Sequence, residues 1–252
     1  MSRWFVQPAS RIRILAACFA LLFSLPAQAE VDPAVVAGAS AAYKELAARL
    51  SEPAASNMPR LSQQQDGAQL LTIFDLAAVV QGRPHSGNGL PVLLQWSEIS
   101  RNTLYAYIYA DGAKTAEQIG ANLIKFGDEI SLATVFNLRL STTMHQAALS
   151  FVASLPAKDA QSEARQAGFK QMVLGIFQQV SGILALEFTA EPLVAGSGVR
   201  AAEALAQDLP IVAASFSAEQ KAELRAAFDR AIKQASPEAA KNLEAAKAAL
   251  TP

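Results

Sequence analysis

The sequence predicts an all-α fold: a single multi-helix domain of about eight helices, with a long central helix and a peripheral C-terminal helical hairpin. Three observations lead there. Apolar residues recur at three- and four-residue steps through nearly the whole chain, with alanine filling many of the positions, which is the spacing of one helix face. Helix-start signals are frequent. The only strand-like stretch, in which Tyr105, Tyr107 and Tyr109 alternate, has no neighbour that could pair with it. A lone strand leaves its backbone groups unsatisfied, so this stretch too is expected to be helical.

The elements follow in order. Asp32-Pro33 places an N-cap before a proline at the first helical position and opens a helix over 33–50. Ser62 and Gln65 have capping-box spacing and open 62–81, after a break between Pro53 and Pro59. A glycine- and proline-rich break over 82–91 precedes a helix over 91–110, which Asp111-Gly112 ends. Thr115 with Gln118 starts the long helix over 115–154, closed by Pro156. Helices over 162–190 and 198–209 come next, the second stopped by Pro210. Ser217 with Gln220 and Ser236-Pro237 then start helices over 217–234 and 237–250. This last pair has a thin apolar face, from which a loosely docked hairpin is expected.

The amino terminus carries the clearest address. Arg3, Arg11 and Arg13 form a positive region without acids, residues 12–25 are apolar apart from Arg13 and Ser24, and Ala27 and Ala29 are the small residues a signal peptidase reads. Residues 1–29 are therefore expected to be a cleaved secretory signal, cut between Ala29 and Glu30, leaving 30–252 as an all-α exported domain in the periplasm. The sequence Leu15-Ala16-Ala17-Cys18 matches a lipobox, but the apolar run continues past Cys18, which argues against a lipid anchor. Cleavage would remove the only cysteine, and with it any disulfide or thiolate chemistry. It would also take three of the 21 basic residues and leave 18 against 22 acidic, a net of −4 that disfavours nucleic acid as a partner. The run from Met172 to Phe188 carries Gln178, Gln179 and Glu187 and is shorter than a bilayer requires, so no integral membrane segment is expected after signal removal.

Four constellations stand out. Gly168, Gly175 and Gly182 recur every seven residues on one helix, and since each glycine costs a helix up to about 1 kcal/mol, the stripe is expected to be a surface of close contact. Thr134, Asn137, Ser141 and His145 form a polar stripe on the apolar face of the long helix, either a satisfied core network or the lining of a pocket whose titratable member is His145. Lys125, Asp128, Glu129 and Arg139 fall toward its other side. Asp75 and Glu187 stand among apolar residues and are read as buried carboxylates needing a partner, with Arg83, His85, Arg139, His145 and Lys170 as candidates. The loop Gly82-Arg83-Pro84-His85-Ser86-Gly87-Asn88-Gly89 collects residue types that bind anions, without the lysine and spacing of a phosphate loop.

Two histidines 60 positions apart, and no cysteine in the exported chain, offer no zinc site, and no cofactor motif is present. The expected binding residues are thus His145, Ser141, Asn137, Thr134, Arg83 and His85, with no metal and no cofactor. The expected role is a non-catalytic binding or interaction protein, its partner another envelope protein or a second copy of itself. The alternative is a hydrolase using His85 or His145 with a buried carboxylate.

Overall fold

The computed structural model describes residues 32–81, 89–153, 160–188 and 196–251, and among these residues there is no strand. The helices are α1 (Pro33–Ser51), α2 (Gln64–Ile73), α3 (Leu76–Val80), α4 (Leu90–Ile108), α5 (Ala116–Lys125), α6 (Gly127–Ala153), α7 (Ala160–Glu187), α8 (Ser197–Val212), α9 (Ala218–Ile232) and α10 (Pro237–Ala248). The all-α single domain is as expected. The loop at 82–88, with Arg83 and His85, and the junction of Ala29 with Glu30 lie outside the described residues.

Start signals work where the side chain reaches the free amides of the first turn. Asp32 accepts from the Ala34 amide, Ser236 accepts from the Ala239 amide, and both Thr115–Gln118 and Ser217–Gln220 close full capping boxes. The Ser62–Gln65 box does not form, because α2 begins two residues later, with Gln63 as an N-cap that makes no side-chain bond. Asp75 is also not a core carboxylate. It caps α3, accepting from the Ala77 and Ala78 amides, and so splits the helix expected over 62–81 into α2 and α3.

Two further boundaries differ for tertiary reasons. The helix expected over 115–154 breaks at Phe126, whose backbone leaves the helical region (φ −113°, ψ 28°) while its ring is fully buried against Tyr107, 5.4 Å between centroids. The Arg60 guanidinium lies 5.1 Å above the centre of the same ring. Pro210 does not end its helix: α8 runs on to Val212, because the proline sits on the exposed side near the end, where the carbonyl it leaves free can be hydrated.

α6 is the centre of the molecule and packs against α3, α4, α5, α7 and α8. It divides two apolar clusters. Phe136 and Leu140 face the first, with Leu46, Leu70, Phe74, Trp96 and Tyr107. Val135 and Leu138 face the second, with Ile176, Val180 and Ile183 of α7, Leu205 and Leu209 of α8, and the C-terminal hairpin. That hairpin is firmly docked, contrary to the loose association expected from its composition. Leu224, Phe228, Leu243, Ala246 and Leu250 are all completely buried. Alanine at 239 and 246 keeps the apolar stripe thin but lets α10 approach α8 closely.

The segment between α1 and α2 is held by polar contacts. Arg49 grips Asp66 through two hydrogen bonds of 2.9 and 2.6 Å, and this cation holds the Asp66 carboxyl below its ordinary range. Asp111 takes a left-handed conformation (φ 57°), donates its amide to the Pro53 carbonyl at 2.7 Å and accepts from the Ala55 amide at 2.8 Å.

The glycines separate sharply. A Cβ at Gly67 would stand 2.5 Å from the Leu61 carbonyl oxygen, a true close approach of backbones. A Cβ at Gly175 or Gly182 would meet nothing within 4 Å among the described residues. At Gly175 and Gly182 the stripe of α7 is therefore not a close contact among the described residues, contrary to the expectation from its spacing, whereas Gly168 is buried. Gly67→Ala should cost about 1–3 kcal/mol because backbone must move. Gly175→Ala should instead stabilise by about 0.5–1 kcal/mol through helix propensity. Parallel denaturant titrations decide both, and a destabilised Gly175→Ala chain would restore the contact reading.

Candidate functional site

α6 is buried on nearly every side, so polar residues along it must be satisfied by neighbouring elements. The stripe seen in the sequence has that fate, residue by residue. Asn137 is buried, donates its amide to the Ala133 carbonyl one turn back at 2.8 Å, and accepts from the Ser100 hydroxyl of α4 at 2.7 Å. Two turns further on, His145 is completely buried, and its Nε2 shares a hydrogen bond of 2.9 Å with the Ser215 hydroxyl. Thr134, one turn before Asn137, and Ser141, between Asn137 and His145, are half-buried. Asn137 thus answers to α4 and His145 to the turn after α8, so the stripe is two separate contacts.

The His145 environment is the most distinctive on the chain. Ser215 closes a short 3-10 turn, Ala213–Ser215, that links α8 to α9, and it is half-buried. Phe169 of α7 lies beside the imidazole, 5.2 Å between centroids at 32°. Nδ1 has no hydrogen-bond partner among the described residues. Burial away from water pushes the imidazole down to about 4 from its ordinary value near 6.5, so at neutral pH the ring is uncharged. The same turn is pinned a second time by Phe216, which meets Phe177 of α7 edge-on at 6.3 Å and 74°.

The buried carboxylates are engaged elsewhere. Glu187 accepts from the Ser197 hydroxyl at the start of α8. Asp208 faces Arg139 at 3.8 Å, and Arg139 also donates to Gln207 at 2.7 Å. Glu129 accepts from the Leu61 amide at 2.8 Å and pairs with Arg60 at 3.3 Å. Close by, the Tyr107 hydroxyl donates to the Pro59 carbonyl at 2.8 Å. Burial, with Glu129 nearby, pushes that phenol far above its ordinary range. Asp75 and Glu187 have separate partners, and neither bond is to a candidate cation named from the sequence. Among the described residues no group of acids and histidines has the grouping to hold a metal ion.

Sequence reasoning missed Ser215, which no local pattern marks, and misplaced Glu129. On the wheel of α6, Glu129 falls with Phe136, Leu140 and Ala147, so the signal was there once the helix is started at Gly127. Asp208 was similarly visible, lying between Ala204, Leu205 and Val212 on the inner face of α8.

One other surface is unusual. α7 has an inner face that is apolar from Val173 to Leu184, with Val173, Ile176, Val180, Ile183 and Leu184 buried. Its outer face carries no charge between Lys170 and Glu187, and Leu174, Gly175, Gln178 and Ala185 are exposed there. By length and composition Glu163–Glu187 could cross a membrane, and 33% of its most apolar window is buried in the fold. Compared with known proteins, the chain matches no family model, no curated protein and no solved structure.

Proposed function

We propose that the chain is an exported, periplasmic helical protein that acts by binding another macromolecule rather than by catalysis. The outer face of α7 carries this reading. It is uncharged between Lys170 and Glu187 and exposes Leu174, Gly175 and Ala185, whereas the outer face of α9 bears Glu219, Glu223, Asp229 and Arg230. Gly175 and Gly182 each cost helix stability, and no described residue comes within 4 Å of the Cβ that each lacks. A partner packed on that face would use them. The export signal points to another envelope protein or a second copy as that partner.

The test is photo-crosslinking from position 174 in cells, with position 223 on α9 as the control. Adducts from 174 alone are expected. An adduct of twice the chain mass identifies self-association, and another mass identifies an envelope partner. Equal yield from both positions, or none from either, removes the reading.

The 2.9 Å contact between His145 and Ser215 favours one rival, a hydrolase in which Ser215 attacks and His145 takes its proton. Against it, no acid among the described residues bonds the imidazole, and a ring held down to about 4 is a weak base at neutral pH. Ser215 should stay unmodified after prolonged fluorophosphonate treatment, read by intact mass. An adduct on Ser215 that disappears in His145→Gln would turn the conclusion to hydrolysis.

A further inference from the structure

We propose that the His145–Ser215 contact is an acid-released latch: while the imidazole is neutral it holds the turn between α8 and α9 against α6 and α7, and protonation lets that turn open. The geometry comes first. His145 projects from the central helix and is completely buried, yet its hydrogen-bond partner is a residue of a three-residue 3-10 turn. That turn joins α8 to the C-terminal hairpin, so its residues can move away from α6 without unwinding an α-helix. Two contacts pin it: Ser215 to the imidazole and Phe216 to Phe177.

A protonated ring would have two donors, and Nδ1–H would face no acceptor. The surrounding charges do not compensate. On α6, Arg139 is turned to Asp208 and Gln207 of α8. On α7, Arg165 lies over the Phe151 ring and Lys170 is exposed. On α4, Glu98 is exposed and Arg101 donates to the Ser97 carbonyl of its own helix. On α5, Glu117 and Lys125 are exposed. The turn and α3 contain no ionisable side chain, and Glu219 at the start of α9 is exposed. Desolvation is accordingly the cause of the lowered imidazole value, with no charge opposing it. Water is the remaining source of compensation, and opening the turn would admit it to the ring.

The direction with pH follows from linkage. The closed state binds its proton only near pH 4, whereas an opened, hydrated imidazole binds it near 6.5. Closure is therefore strongest and flat above about 6.5, and weakens as pH falls through the interval down to about 4. At pH 5 the shift corresponds to about a 30-fold rise in the open fraction.

Hydrogen exchange of residues 213–221, corrected for intrinsic rates, reads the opening directly. The unaltered protein should show about a 20-fold rise between pH 7 and 5, and His145→Gln, which keeps a hydrogen bond to Ser215 but no charge, should stay flat. An equal rise in both proteins, or no rise in the unaltered one, overturns the latch. Should His145→Gln fail to fold, the chain's two histidines offer a second measurement. In His85→Gln a single imidazole resonance remains, and an ordinary titration midpoint near 6.5 would overturn the proposal as firmly.

Discussion

Trp96→Ala is expected to lower stability by about 3–5 kcal/mol, among the largest effects available to a single substitution. Trp96 is completely buried where α4 meets α2 and α6. Its indole ring packs on Phe136 at 5.1 Å between centroids, and Phe136 in turn meets Phe74 edge-on at 5.6 Å. Two separate losses combine. Truncation opens a cavity beside Phe136, and it removes the indole N–H that donates to the Ile73 carbonyl at 2.8 Å. That carbonyl belongs to the last residue of α2, just before Phe74 turns the chain toward the Asp75 cap. Trp96→Phe separates the terms, since it keeps most of the volume and loses only the donor, at about 1–3 kcal/mol. Denaturant midpoints at unchanged slope measure both. A loss below about 1 kcal/mol for Trp96→Ala would mean that the first core is not organised around this ring.

Phe228→Ala should cost about as much, roughly 3–5 kcal/mol, although it lies in a segment of weak apolar character. Phe228 is completely buried on α9, in the cluster with Leu224 and Ala231 of the same helix and Leu243 of α10. Because α10 packs on α8 and α9 on α7, loosening this ring should be felt beyond the hairpin. Hydrogen exchange should show lost protection in α8 and α10 together, with α1 and α2 little changed. A small loss confined to α9 would return the hairpin to the loosely attached element its composition implied. Distant cores make the two substitutions nearly additive, so the double variant should fall below the stability of an ordinary domain and populate the unfolded state in water.

What the sequence determined by itself is the part governed by interactions within a few residues. Proline at the first position after Asp32 or Ser236, and Thr or Ser three residues before Gln, choose helix starts through bonds that close inside one turn. The helical period of the apolar residues similarly determined the all-α class and the alternation of buried and exposed positions. It also located Asn137, His145 and Glu187 as polar groups that a buried face would have to satisfy.

Only the tertiary structure decided what satisfies them. Ser215 is 70 residues from His145, and Ser100 is 37 from Asn137, so neither partner has a local signature. The break at Phe126 belongs to the same class, because its cause is a ring seated under Arg60 and against Tyr107, not a residue that disfavours helix. Burial of Glu129 depends on α6 being enclosed on all sides, which one helix's pattern cannot reveal. The glycines make the point in both directions. Gly67 gave no periodic signal and sits against a carbonyl, while at 175 and 182 of the regular stripe an added Cβ would meet nothing within 4 Å among the described residues. Period and caps are properties of a helix, whereas contact, charge state and hydrogen-bond partner are properties of what is packed against it.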